Sequence, residues 1–340
     1  MGERISDFDV LCFDPASSWV MRQAMYGKPA SILVTGGTGF FGRSLVSKLV
    51  AAGFSVRILS RRIENREHPK ISICRGDLTN LRDLRAAVDD CDVIFHCAAE
   101  KIDEGSMMAV NVTATKTLFE LAKDMRIRYF CHLSSVGVIG RTRLSIVDES
   151  AACNPMNQYE TTKLAAEGIV GNGLDDGRVV ILRPTNIFGM ETMDTMLQKS
   201  LRLRIRNFAK GNECSHFVYV NDVVAAAMYW MEAPSESPVD TFIVSSDEET
   251  GNTNYDVQAL LASRISTAPA ASRVSAPLFV PYCARLLRHG RSNYGDVIYS
   301  SRKIHRAGFR FPFGLKAGLN DAIDGLLESR AVCGAGRARA

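Results

Sequence analysis

The chain has 340 residues, of which 46% are hydrophobic and 23% charged, and its net charge is +4. That is the make-up of a folded protein with one large α/β domain or two lobes, and so small a charge calls for neither nucleic acid nor a membrane surface. Apolar runs fall short of the roughly 18 residues that span a bilayer, and Glu3, Asp7, Asp9 and Asp14 are out of place in a transit peptide. The nine cysteines are scattered and no two sit at C-x-x-C spacing. That argues against a zinc cage or redox pair and for a reducing, cytoplasmic compartment, so no metal is expected.

Residues 1–29 precede the first strand and carry Phe8, Phe13, Trp19 and Tyr26. A packed arm, a poorly ordered extension and a true start at Met21 or Met25 all remain open. From Ser31 the pattern alternates. Strands are expected at 31–35, 54–59, 71–74, 92–97, 128–134 and 178–183, with helices near 41–52, 80–89, 106–125 and 157–171. Strands alternating with helices imply β-α-β units, right-handed crossovers and a doubly wound parallel sheet covered on both faces. This first domain is expected over 30–189.

A smaller lobe, partly interleaved with the first domain, follows over 190–330. It should include an alternating strand at 201–208, a helix from Asn221-Asp222, a strand at 239–244 and a surface connection at 264–282. The Gly, Ala and Arg of 331–340 are expected to form a disordered tail.

After the first strand stands Thr35-Gly36-Gly37-Thr38-Gly39-Phe40-Phe41-Gly42. Glycines at 36, 39 and 42 let backbone N–H groups approach a pyrophosphate while the helix starting near Phe41 adds positive potential. A glycine-rich turn without a ligand is the alternative; the strand before and the helix after argue against it. The second strand ends at Ser60-Arg61-Arg62, with no acidic residue to accept from a ribose 2′-OH. Ser60 can donate to a 2′-phosphate and Arg61 can pair with it, so NADP(H) is favoured and NAD(H) left open. Asp77, in Gly76-Asp77-Leu78, can accept from the adenine amine or cap the next helix.

Farther on comes Tyr159-Glu160-Thr161-Thr162-Lys163, which puts a phenol and an ammonium one helical turn apart. A free phenol titrates near 10, and a neighbouring cation lowers that towards neutrality. Tyr159 can then exchange a proton with a carbinol or carbonyl while Ser135, at the mouth of the strand 128–134, hydrogen-bonds the same oxygen.

With Thr35–Gly42, Gly76-Asp77-Leu78, His96-Cys97-Ala98-Ala99, Asn111, Leu133-Ser134-Ser135, Tyr159–Lys163, Arg183-Pro184 and Val218–Val223 in this order, the chain resembles the extended short-chain dehydrogenase/reductases, in their NAD(P)-dependent sugar epimerase/dehydratase branch. The resemblance covers roughly residues 31–330. It implies a Rossmann-type domain with a C-terminal substrate lobe, and catalysis by Ser135, Tyr159 and Lys163, with Asn111 positioning Lys163. It also implies dinucleotide contacts from Gly36, Thr38, Gly39, Phe40, Phe41, Gly42, Ser60, Arg61, Asp77, Leu78, Ala98, Ala99, Lys163 and Pro184. Asn186 and Arg291 join Ser135 and Tyr159 as substrate residues, Arg291 resembling the family's diphosphate arginine at a looser spacing. His96 is expected to be structural or to line the cofactor. The same resemblance implies a homodimer through the helices at 106–125 and 157–171.

Val136 and Gly137 follow Ser135 where sugar dehydratases of this family carry Asp-Glu, which argues against elimination. What remains is a 4-keto-reductase or 4-epimerase acting on a nucleotide-diphosphate sugar. The apolar segment Pro277–Leu287 points instead to a hydroxysteroid- or dihydroflavonol-type substrate. A non-catalytic NADP(H) sensor or assembly factor is the competing class, though such relatives usually lack the Tyr or the Lys.

Overall fold

The computed structural model describes residues 31–62, 68–197, 210–233, 237–266, 268, 276–277, 279–289 and 297–337. The arm at 1–29, the alternating strand at 201–208 with Arg202, Arg204 and Arg206, and Arg291 all lie outside them.

Seven parallel strands form the central sheet. They are β1 (Ser31–Thr35), β2 (Ser55–Ser60), β3 (Ile71–Arg75), β4 (Val93–His96), β5 (Tyr129–Leu133), β7 (Arg178–Pro184) and β10 (Val239–Val244), in the order β3-β2-β1-β4-β5-β7-β10. All six strand pairs are parallel. Short pairs sit outside the sheet: β6 (Ile146–Val147) with β11 (Ile298–Tyr299), and β8 (Asn186–Phe188) with β9 (Phe217–Tyr219).

The period-two alternation of each strand assigns its side chains to opposite layers. On β1, Ile32 and Val34 enter one core while Leu33 enters the other. The first core is closed by α1 (Phe40–Ala51), α7 (Val220–Tyr229), α8 (Asn254–Arg264) and α11 (Gly314–Arg337). The second is closed by α2 (Leu81–Val88), α4 (Ala114–Asp124) and α5 (Gln158–Val170). Helices on both faces explain why the strands read as continuous apolar runs. A doubly wound sheet of this kind leaves a crevice beyond the carboxyl ends of β1 and β4, where the strand order reverses.

Three local departures stand out. The helix expected over 106–125 is composite: α3 (Glu104–Met107), a π-helical turn over Met108–Thr113 and α4. The connection expected over 264–282 gives way to α9 (Phe279–His289). The expected disordered tail is instead helical as far as Arg337, because Leu315, Leu319, Ile323 and Leu326 anchor α11 in the core. Its last turns include Gly334 and Gly336, poor helix formers, so they are carried by the packed turns before them rather than by propensity. The remaining elements are a 3₁₀ turn over Val136–Ile139, α6 (Met190–Met196) and α10 (Arg302–Arg306).

Candidate active site

A cleft of about 1300 Å³ opens along the carboxyl ends of the strands. Its first end is made of backbone. Gly36 has φ +70°, and a Cβ there would lie 2.7 Å from the Ala98 nitrogen. A Cβ at Gly42 would collide with the Gly36 carbonyl oxygen. Gly39 N–H donates to that same carbonyl at 2.9 Å and closes the turn. Gly39 is extended and α1 has no side-chain cap, so its first N–H groups are left for another acceptor. Gly36, Thr38, Gly39, Phe40, Phe41 and Gly42 all line the cleft.

The adjoining strands complete this end. Ser60 and Arg61 line it from β2, Asp77 and Leu78 from β3, Ala98 and Ala99 from β4, and Pro184 from β7. Ser60 Oγ accepts from Arg62 N–H at 3.2 Å. Arg61 is exposed. Asp77 does not cap α2; Asn80 does, accepting from Arg82 and Asp83 N–H. Asp77 Oδ1 instead accepts from the Thr79 N–H and hydroxyl at 2.8 and 2.7 Å. Those two bonds hold its carboxyl below the usual range, with the Arg61 charge adding to them. Glu100 is also held down, chiefly by the Ile102 and Asp103 N–H groups and last by Arg61. The Arg61 guanidinium thus acts on two carboxylates at the rim.

At the other end stand Ser135, Tyr159 and Asn186, all lining the same cleft. Ser135 follows β5 and its Oγ accepts from Gly137 N–H at 3.1 Å. Tyr159 lies in the first turn of α5, which Asn157 caps by accepting from Glu160 N–H at 2.9 Å. Lys163 sits one turn on but is 2% exposed and is not part of the cleft wall. Its Nζ donates to the Leu133 carbonyl at 2.5 Å and lies 3.4 Å from His132 Nε2. Burial lowers Lys163 to about 8. Burial, and then the Glu160 charge, raise the Tyr159 phenol above its ordinary value. Burial outweighs any lowering by Lys163, whose ammonium sits on Leu133 and His132.

Asn111 likewise makes no bond to Lys163. It sits in the π-helical turn, 2% exposed, accepting from Glu100 N–H and donating to the Glu100 carbonyl and Thr162 Oγ. It joins the loop after β4 to α5, one residue from Lys163. His96 is structural, with both ring nitrogens 2.7 Å from the hydroxyls of Thr35 and Thr115. Burial lowers it to about 3, so it stays neutral.

Some residues were missed by sequence reasoning. Glu167 and Arg183 form a buried ion pair, Nη2 to Oε2 2.6 Å, which pins α5 to β7 one turn beyond Lys163. His132 pairs in register with His96 across β4 and β5, the rings 5.3 Å apart. Two histidines at the same depth of adjacent expected strands were the available signal. In the second lobe Cys214, His216 and Asp247 bring one ligand-type atom each within 4.8 Å of one another. Tetrahedral bonds of about 2.0 Å separate ligand atoms by roughly 3.3 Å. His216 Nδ1 and Asp247 Oδ2 are 2.7 Å apart, the spacing of a hydrogen bond.

With this geometry the comparisons with known proteins agree. The model of the NAD-dependent epimerase/dehydratase family matches residues 32–244. The chain belongs to that family. One curated relative, 34% identical over 185 residues, is the 4-hydroxy-2-methyl-3-oxo-4-farnesyl-3,4-dihydroquinoline-1-oxide ketoreductase of Stigmatella aurantiaca. The match covers 52% of this chain and 55% of that protein, so it spans about half of each. Another is the decarboxylating sterol-4-alpha-carboxylate 3-dehydrogenase of Candida albicans, 29% identical over 249 residues, covering 65% of this chain and 71% of that one. The UDP-glucuronic acid 4-epimerase of Bacillus cereus, solved with NAD, shares the fold at TM-score 0.66 and 20% identity, covering 88% of this chain and 99% of that one.

The cleft fits the family's dinucleotide. Without Cβ atoms at Gly36 and Gly42 the turn can close tightly against Ala98 and the Gly36 carbonyl, and the uncapped start of α1 suits a pyrophosphate. No described helix is long and apolar enough to cross a membrane.

Proposed function

We propose that this protein is an NADP(H)-dependent reductase or dehydrogenase acting on a ketone, or its secondary alcohol, of a largely apolar substrate. The observation that carries the reading is the placement of Ser135 and Tyr159 together at the far end of the cleft that begins at the glycine turn. A bound nicotinamide would supply the hydride. Ser135 Oγ hydrogen-bonds the substrate oxygen. Tyr159 holds the proton that this oxygen gains on reduction and receives it on oxidation. Lys163 supplies positive charge behind Tyr159, and Asn111 and the Glu167–Arg183 pair hold α5 so that this charge stays under the phenol.

NADP(H) is favoured because Arg61 lines the cleft at the end of β2, where no acidic residue stands. A 2′-phosphate would meet its guanidinium beside Ser60. An exchanging reductase suits that cofactor better than an epimerase, which retains its dinucleotide through the cycle.

The substrate class moves away from the nucleotide sugar that the sequence favours. Between Ser135 and Tyr159 the chain exposes Leu144, Ile146 and Met156 at 50%, 54% and 40%. The Glu160 carboxylate lies beside Gly137, 3.3 Å from where its Cβ would stand, a poor neighbour for a diphosphate. The relatives in Stigmatella and Candida, named for a farnesylated quinoline oxide and a sterol, support the same reading. A nucleotide sugar remains the second reading, favoured by Asn186 on the cleft wall. A panel of ketosteroids, prenylated ring ketones and 4-keto nucleotide sugars, followed by NADPH absorbance with a parallel epimer assay, separates them. Turnover of the first two classes is expected. NADPH-independent epimerisation of a UDP-sugar would overturn the proposal.

A further inference from the structure

We propose that His132 is a positioning residue for Lys163: its Nε2 accepts from the lysine ammonium beneath the cleft floor and, with the Leu133 carbonyl, fixes where that charge sits. The inference rests on the reading of Tyr159 and Lys163 as the catalytic pair.

Lys163 Nζ lies 3.4 Å from His132 Nε2 and 2.5 Å from the Leu133 carbonyl oxygen. Both side chains are removed from water, at 2% and 0% exposure. An ammonium has donors and no acceptor, so Nε2 must be the acceptor and the imidazole proton must sit on Nδ1. That nitrogen is buried and finds no hydrogen-bond partner among the described residues. A buried donor left unpaired is costly, and a phenylalanine like Phe130 on the same strand would avoid the cost. What the histidine adds over such a ring is the acceptor under Lys163.

Among the described residues no other titratable side chain around Lys163 offers it an acceptor. From β4, His96 has both nitrogens engaged by Thr35 and Thr115, and the Cys97 thiol is pushed well above its usual value by burial and stays neutral. Glu167, on Lys163's own helix, supports the ammonium with its charge, but its oxygens are bonded to Arg183. Lys101, from the loop after β4, opposes the charge rather than supporting it. Tyr159 is the group that the charge serves. Burial, then the charge of Lys163, lowers His132 far below the ordinary imidazole value, so it remains a neutral acceptor through the working range.

Removing the acceptor makes the buried ammonium easier to deprotonate. The Tyr159 phenol then loses positive support and ionises at higher pH. The first test needs no turnover: nitrogen-15 NMR of the histidine-labelled, cofactor-free protein. The expected result is a neutral His132 protonated on Nδ1 between pH 5.5 and 8, with an Nε2 signal that moves in Lys163→Met. Protonation on Nε2, or no response to Lys163→Met, overturns the inference. The second test is the pH profile of NADPH-dependent turnover. His132→Phe should move the limb set by Tyr159 upward by roughly one pH unit, a tenfold change in the ionisation constant. His132→Gln, whose amide oxygen can stand in for Nε2, should restore most of it. A profile unchanged in His132→Phe while turnover falls uniformly would show a merely structural histidine. Tyr159→Phe run alongside keeps the two ideas apart: full activity there sinks the catalytic reading, whereas the NMR result bears on His132 alone.

Discussion

At the dinucleotide end of the cleft the chain contributes backbone, kept bare by glycines, and Arg61, one of the charged side chains that line it, is exposed. At the catalytic end it contributes side chains withdrawn from water: Lys163, Asn111, His132 and the Glu167–Arg183 pair are all buried. The first arrangement needs only a turn with no Cβ atoms. The second needs three strands and two helices to surround each polar group with partners, because an unpaired buried charge is expensive. The difference teaches where stability and function oppose one another. The glycine turn serves both, whereas the buried lysine serves chemistry at a cost to folding.

That contrast can be broken at either end. Gly42→Val should have the largest effect, since a side chain there meets the Gly36 carbonyl. Loss of NADPH binding by more than roughly 100-fold and a marked fall in melting temperature are expected, read by NADPH fluorescence and thermal unfolding. Unaltered binding would mean that the turn does not seat the pyrophosphate. Next is Tyr159→Phe, expected to cut turnover by about 10²- to 10⁴-fold while NADPH affinity stays within about twofold. A parallel loss of binding would assign Tyr159 to the cofactor rather than the proton.

Arg61→Ala should weaken NADPH roughly 10- to 100-fold and leave NADH nearly unchanged. Equal weakening of both cofactors would remove the 2′-phosphate argument. The smallest effect is on stability and has an unusual sign. Lys163 titrates at about 8 in the folded protein, below its ordinary 10.5. Between those values the unfolded chain binds the proton and the folded one does not, so this group's contribution to stability rises as pH climbs from 8 to 10.5. Below pH 8 the folded state carries the full cost of the buried charge. Lys163→Met should therefore raise the melting temperature of the cofactor-free protein at pH 7, by an amount that shrinks towards pH 10. A lower melting temperature at pH 7 would show that Leu133 and His132 more than offset the burial.

Much of the fold was legible before any coordinates. The strands at 31–35 and 239–244 coincide with β1 and β10, and the other five central strands fall within a residue or two. Apolar runs bounded by glycines and charges are local signals, and a parallel sheet has few other ways to pack them. The tail was misread because composition describes residues 331–337 in isolation, whereas a helix already packed at Leu315–Leu326 carries them along. Of the two roles open to Asp77, the cap falls to Asn80, three residues later, which takes the N–H groups at the start of the helix.

Ser135 and Tyr159 share the cleft that their spacing suggests, yet what Lys163 touches was hidden. The amino-acid sequence by itself determined the glycine turn, the alternation that builds the sheet and the absence of an acid after β2, because each is written in contiguous residues. Only the tertiary structure decided that Lys163 lies under the floor on Leu133 and His132, that Asn111 binds Glu100 and Thr162, and that Glu160 faces Gly137. Those contacts join residues from separate strands and helices. Their energies depend on who else is buried nearby, and no local pattern reports that.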